Sequence, residues 1–99
     1  MGIDVNLQDE RGGVIESIYD PRNLLKKLLP REDRSLLSGI DPYGDTTFNR
    51  LQIDQFLLEW HELKKKQLTA EQAEHLQKIE DLAVKSKNDV HLYLKFIGD

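Results

Sequence analysis

The chain has 99 residues, 38% of them apolar and 32% charged, with a net charge of −4 and no cysteine. That length suits one domain, able to bury a core without disulfides or a structural metal. Lack of cysteine excludes disulfides, Cys-ligated zinc and a Cys nucleophile, and the acidic balance disfavours nucleic acid and favours a basic protein as partner.

Ile3, Val5 and Leu7 alternate with Asp4 and Asn6, which predicts a first short strand. Gly12 and Gly13 close a hairpin turn after Asp9. Val14 to Ile18 returns as a second strand, with a bulge near Gly13 expected because Val14 and Ile15 are adjacent apolar residues. Asp20-Pro21 opens a predicted helix, with Asp20 as N-cap and Pro21 at the first helical position. Tyr19 and Leu24 stand at the positions of a hydrophobic staple, and Pro30 ends the element. After the charged connection from Arg31 to Arg34, Ser35 to Ile40 reads as a third strand weakened by Gly39.

Asp41-Pro42-Tyr43-Gly44-Asp45 is the densest turn signal in the chain. Pro42 presets φ, and Asp41 offers an acceptor to the turn backbone. Thr46 to Leu51 alternates as a fourth strand, forming a hairpin with the third. A helix is expected from about Asp54 to Lys66, burying Ile53, Phe56, Leu57, Trp60 and Leu63. Thr69-Ala70-Glu71-Gln72 spells a capping box for a last helix reaching Lys87, with Ala73, Leu76, Ile79, Ala83 and Val84 inward. Glu74 with Lys78 and Asp81 with Lys85 are spaced as i,i+4 ion pairs. The short loop between these helices makes them antiparallel neighbours.

The tail alternates cleanly, with Val90, Leu92, Leu94 and Phe96 on one side and His91, Tyr93 and Lys95 on the other. This predicts a strand with one face in the core. The resulting order is ββα-ββ-αα-β, an α+β fold. It is a two-layer domain over residues 1–99, with a mostly antiparallel sheet of about five strands and three helices on one face. The other sheet face then meets solvent and carries His91, Tyr93 and Lys95. The first residues lack a basic region followed by an apolar run, no apolar run approaches membrane-spanning length, and a cytoplasmic protein away from membranes is expected.

No motif assigns a catalytic residue, and no metal or cofactor is expected. Asp41, Asp45 and Asn49 offer oxygens around a turn, but turn chemistry accounts for them and their spacing is not that of a calcium loop. His61-Glu62 lacks a second histidine four residues on. His61 and His75 read as edge-of-core or surface side chains. His91 and Tyr93 are same-face neighbours; such a pair suits acid–base work or an aromatic contact patch, and ordinary half-covered strand residues account for it too. The serines occupy no nucleophile elbow, and Gly12-Gly13 precedes no helix that would cradle phosphate. The lysines of both long helices are interleaved with acids. The candidate binding residues are therefore His91, Tyr93 and Lys95 on the tail, with Tyr43 and Asp45 in the turn.

Asp41-Pro42-Tyr43-Gly44-Asp45-Thr46-Thr47-Phe48-Asn49-Arg50-Leu51-Gln52 and the ending from Val90 to Asp99 resemble segments of small uncharacterised bacterial proteins. The resemblance implies a bacterial, single-domain protein and carries no activity, ligand or catalytic residue to any position here. The expected function is a non-enzymatic protein-binding domain, of which an immunity or antitoxin-like inhibitor of a basic bacterial toxin is one concrete form. One alternative is a small enzyme or ligand-binding domain using His91 and Tyr93 with a carboxylate such as Asp45 or Asp99. Another is a homo-oligomer pairing through sheet edges or open faces.

Overall fold

The computed structural model describes residues 2–31 and 34–98. Four strands form one antiparallel sheet among the described residues: β1 (Asp4–Asp9), β2 (Val14–Ile18), β3 (Asp45–Phe48) and β4 (Leu92–Ile97), in the order β2-β1-β4-β3. Two helices, α1 (Arg50–Lys64) and α2 (Ala70–Lys87), lie together, and α2 packs on β1 and β4. The α+β class is as expected, whereas five strands and three helices are not found. Among the described residues no helix is long and apolar enough to cross a membrane.

The tail strand β4 is central, paired with β1 from Asp4↔Ile97 to Asp9↔Leu92 and with β3 from Asp45↔Ile97 to Phe48↔Leu94. Leu94 and Phe96 are fully buried. The strand starts at Leu92 rather than Asp89, because Asp89 turns the chain there. Its carboxylate accepts from the His91 N–H at 2.9 Å and its carbonyl from the Leu92 N–H at 3.1 Å. Val90 therefore points to solvent, 52% exposed, instead of into the core. In the first hairpin the Asp9 carboxylate accepts from the N–H groups of Arg11 and Gly13, and Gly12 takes φ +82°. The register steps from Leu7↔Glu16 to Gln8↔Val14, which places the bulge at Ile15 of β2.

The segment from Tyr19 to Pro30 is not a helix. Asn23 is left-handed at φ 53°, which interrupts a right-handed helix at its first turn. The Asp20 carboxylate reaches past the usual capping positions to the N–H groups of Leu24 (2.8 Å) and Leu25 (2.9 Å). One helical turn remains, with the Leu28 and Leu29 N–H groups donating to the Leu25 carbonyl. Bounded by two prolines, the stretch is too short to propagate a helix unaided, and burial of Leu25 holds this conformation. The predicted third strand is likewise a single 3₁₀ turn, Leu37–Gly39. There the Ser35 and Ser38 side chains bond the local backbone, and the Leu37 N–H donates to Glu59 of α1. The expected hairpin is absent, and β3 pairs with β4 instead.

α1 begins four residues before the predicted Asp54, because Asn49 and Gln52 form a capping box with bonds of 3.2 and 3.0 Å. Ile53, Phe56, Trp60 and Leu63 are buried along it, with Leu57 partly covered. The Thr69–Gln72 box caps α2 as expected. The buried side of α2 is Leu76, Ile79, Leu82 and Ala83 with His75 and Ser86, while Val84 and Ala73 are exposed. Glu74 and Lys78 pair at 3.3 Å, but Lys85 crosses to Glu16 of β2 at 2.6 Å rather than bonding Asp81.

Two substitutions test these attachments. Asp20→Ala leaves the Leu24 and Leu25 N–H groups without their acceptor and is expected to cost about 1–3 kcal/mol of unfolding free energy, read by urea denaturation. Phe96→Ala opens a void among fully buried rings and is expected to cost about 3–5 kcal/mol in the same measurement.

Candidate functional site

With both helices on one side, the outer face of the sheet carries the residues opposite in parity to Val5, Leu94 and Phe96. These are Asn6 and Gln8 of β1, Thr47 and Asp45 of β3, and Tyr93 and Lys95 of β4. Tyr93 and Lys95 therefore stand on the open face as the alternation predicts. Lys95 Nζ approaches the Asp45 carboxylate at 3.4 Å, a cross-strand ion pair between neighbouring strands. The predicted site residues Lys95 and Asp45 are thus brought together.

His91 belongs to the turn before β4, and its Nδ1 lies 2.9 Å from Glu10 of the first hairpin. Its ring is committed to that carboxylate rather than to Tyr93. Asp99, the other carboxylate considered with it, lies outside the described residues. Tyr93 has different company: it lines a hollow of about 260 Å³ with Asn49, Arg50, Leu51 and Val90. Leu51 is 88% exposed at the start of α1, so an aliphatic pair flanks the tyrosine. Sequence reasoning placed Leu51 in a strand and Val90 in the core. The Asn49–Gln52 capping pattern was the available signal that Leu51 belongs to a helix start.

Tyr43 stands apart from this face. Its hydroxyl lies 2.9 Å from Lys26 Nζ, which also sits 4.5 Å from the ring centroid. The turn that carries it is built as expected: the Asp41 carboxylate accepts from the Tyr43 N–H at 2.8 Å. The Asp41 N–H donates to Thr46 Oγ1 at 3.0 Å. The Gly44 carbonyl accepts from the Gly98 N–H at 2.7 Å. A Cβ on Gly98 would come within 2.4 Å of the Pro42 backbone, so the loop and the tail lie against each other. The hydrogen bond and charge of Lys26 lower the Tyr43 phenol below its ordinary value, with Arg31 adding to the effect while desolvation and Asp41 oppose it.

The oxygens of Asp41, Asp45 and Asn49 are each engaged locally, with the Tyr43 N–H, Lys95 and the Gln52 N–H respectively. Among the described residues no group of three His, Cys, Asp or Glu side chains is placed to hold a metal ion. His75, expected at a surface or core edge, is buried with Nε2 unbonded, 3.9 Å from the fully buried carboxylate of Asp20.

Tyr43 is expected to titrate below the ordinary tyrosine value in a ¹³C-tyrosine NMR titration, and Lys26→Met is expected to move it back up. Because the folded value is depressed, any stabilisation from the phenolate is fully present above the unfolded tyrosine pKa. It is lost as pH falls through the folded value.

No protein-family model matches the chain, and no curated protein or solved structure matches it either.

Proposed function

We propose that the chain is a protein-binding domain whose open sheet face receives a basic protein partner. The observation that supports this most is the side-by-side placement of Tyr93, Leu51 and Val90 around one shallow hollow on a sheet that the helices leave uncovered. Tyrosine flanked by aliphatic side chains supplies large contact area at low entropic cost, and aromatic anchors of this kind dominate interface energetics. Arg50 and Asn49 at the rim, with the Lys95–Asp45 pair beyond, supply polar groups of the sort that surround such a patch.

The overall charge supports a basic partner. Acidic side chains number 18 against 14 basic ones, so a basic protein is drawn in and an acidic one repelled at moderate ionic strength. An inhibitor that occludes a basic enzyme would use the surface in this way. The acid–base alternative has less support, since the His91 ring faces Glu10 and not Tyr93.

The test is affinity capture from the native lysate at low and moderate salt, followed by titration of the purified partner. A basic protein whose affinity falls with salt is expected. Tyr93→Ala is expected to weaken it about tenfold, a loss of about 1.4 kcal/mol, and Leu51→Ser to weaken it as well. Unchanged affinity in both variants would remove this face from consideration. Dimerisation of the wild-type chain, lost in Leu51→Ser on analytical ultracentrifugation, would identify the partner as a second copy and overturn the basic-partner reading.

A further inference from the structure

A second hollow shares no residue with the Tyr93 patch. It opens between the loop that follows β2 and the turn before β3, and measures about 200 Å³. Ile3 and Ile40, both buried core residues, form its floor with Leu29. Pro30 and Pro42 line it as well. Among the described residues, the ionised side chains lining it are Lys26 and Arg31, and no carboxylate lines it. Two cations thus line one recess in a chain of net charge −4.

The two cations are available. Lys26 is held by a neutral group, the Tyr43 hydroxyl, and among the described residues no carboxylate forms an ion pair with either Lys26 or Arg31. The Asp41 carboxylate nearby is turned to the Tyr43 backbone N–H. Lys26 is also positioned in advance, by the 2.9 Å contact to the hydroxyl and by the ring beneath it. A site already ordered loses less entropy when a ligand arrives. Lysine, arginine and a phenol together offer donors to a carboxylate, with the guanidinium suited to bidentate contact.

We propose that this cleft binds a small organic carboxylate, its anionic end held by Lys26, Arg31 and the Tyr43 hydroxyl and its apolar body laid on Ile3, Leu29 and Ile40. The volume limits the occupant to metabolite size, since pockets for drug-sized ligands start at about 300 Å³.

The test is a ¹⁵N–¹H NMR titration of the full chain with benzoate as probe and benzamide as its uncharged counterpart. Saturable shifts centred on the amides of Lys26, Arg31, Ser38 and Tyr43 are expected with benzoate, at an affinity at least tenfold above that for benzamide. Lys26→Met and Arg31→Gln sit on side chains outside the core, and each is expected to weaken benzoate at least fivefold while the rest of the spectrum is retained. Absence of saturable shifts would overturn the proposal, as would equal binding of benzamide or benzoate binding unchanged in both variants. Saturation by an acidic peptide without any response to benzoate would overturn it in favour of a peptide groove. None of these outcomes depends on the Tyr93 patch, so the two readings stand or fall separately.

Discussion

Four aromatic rings hold the two layers together. Phe96 from the central strand lies within 5.8 Å of both Phe48 on β3 and Phe56 on α1, and 6.4 Å from Trp60. Phe56 stacks on Trp60 at 5.1 Å and 17°. Trp60 then donates its indole N–H to the Leu76 carbonyl of α2 at 2.9 Å, inside the core. A ring cluster of this kind buries much apolar area and adds orientation through the ring quadrupoles. Its members come from an edge strand, the central strand and one helix, and the indole hydrogen bond ties in the other. The uncovered sheet face exists because both helices are fastened on the same side.

Apart from the 3₁₀ turn Leu37–Gly39, the described residues between β2 and β3 are held by a few points rather than by regular structure. Leu25, Leu37 and Ile40 are buried in the shared core. The Asp20 carboxylate satisfies two backbone donors at once, and Asp20's own N–H donates to Asp4 at the start of β1. Gly2 packs so tightly on Asp20 that a Cβ there would meet its carbonyl oxygen at 2.0 Å. Irregular backbone that is partly buried needs such partners, because unpaired polar groups away from water are costly. The cleft lined by Lys26, Arg31 and Tyr43 lies in this part of the chain.

The two candidate surfaces therefore differ in origin. The Tyr93 patch belongs to the sheet and the start of α1, elements set by strand pairing and a capping box. The cleft belongs to loops, where placement of a charge depends on neighbours far along the chain. They also differ in chemistry: one is an aromatic and aliphatic surface in an acidic protein, and the other is a small recess lined by two cations and apolar side chains.

What the amino-acid sequence determined by itself was local. Alternation in the tail from Asp89 to Ile97 marked a half-buried strand, though it also drew in Val90, spacing from Ile53 to Leu63 marked the inner face of α1, and Thr69–Gln72 marked the start of α2. These patterns arise from geometry repeated every two or 3.6 residues, and neighbouring residues suffice to show them. Only tertiary structure decided the fate of 19–31 and 34–40. A run of leucines there is compatible with a helix, but Asn23, two prolines and burial of Leu25 select turns. It also decided which charges meet: Lys85 left Asp81 for Glu16, His91 faced Glu10, and Lys26 reached Tyr43 across 17 positions of sequence. Side-chain partners are chosen by three-dimensional proximity once the backbone is packed, and local periodicity carries no information about that choice.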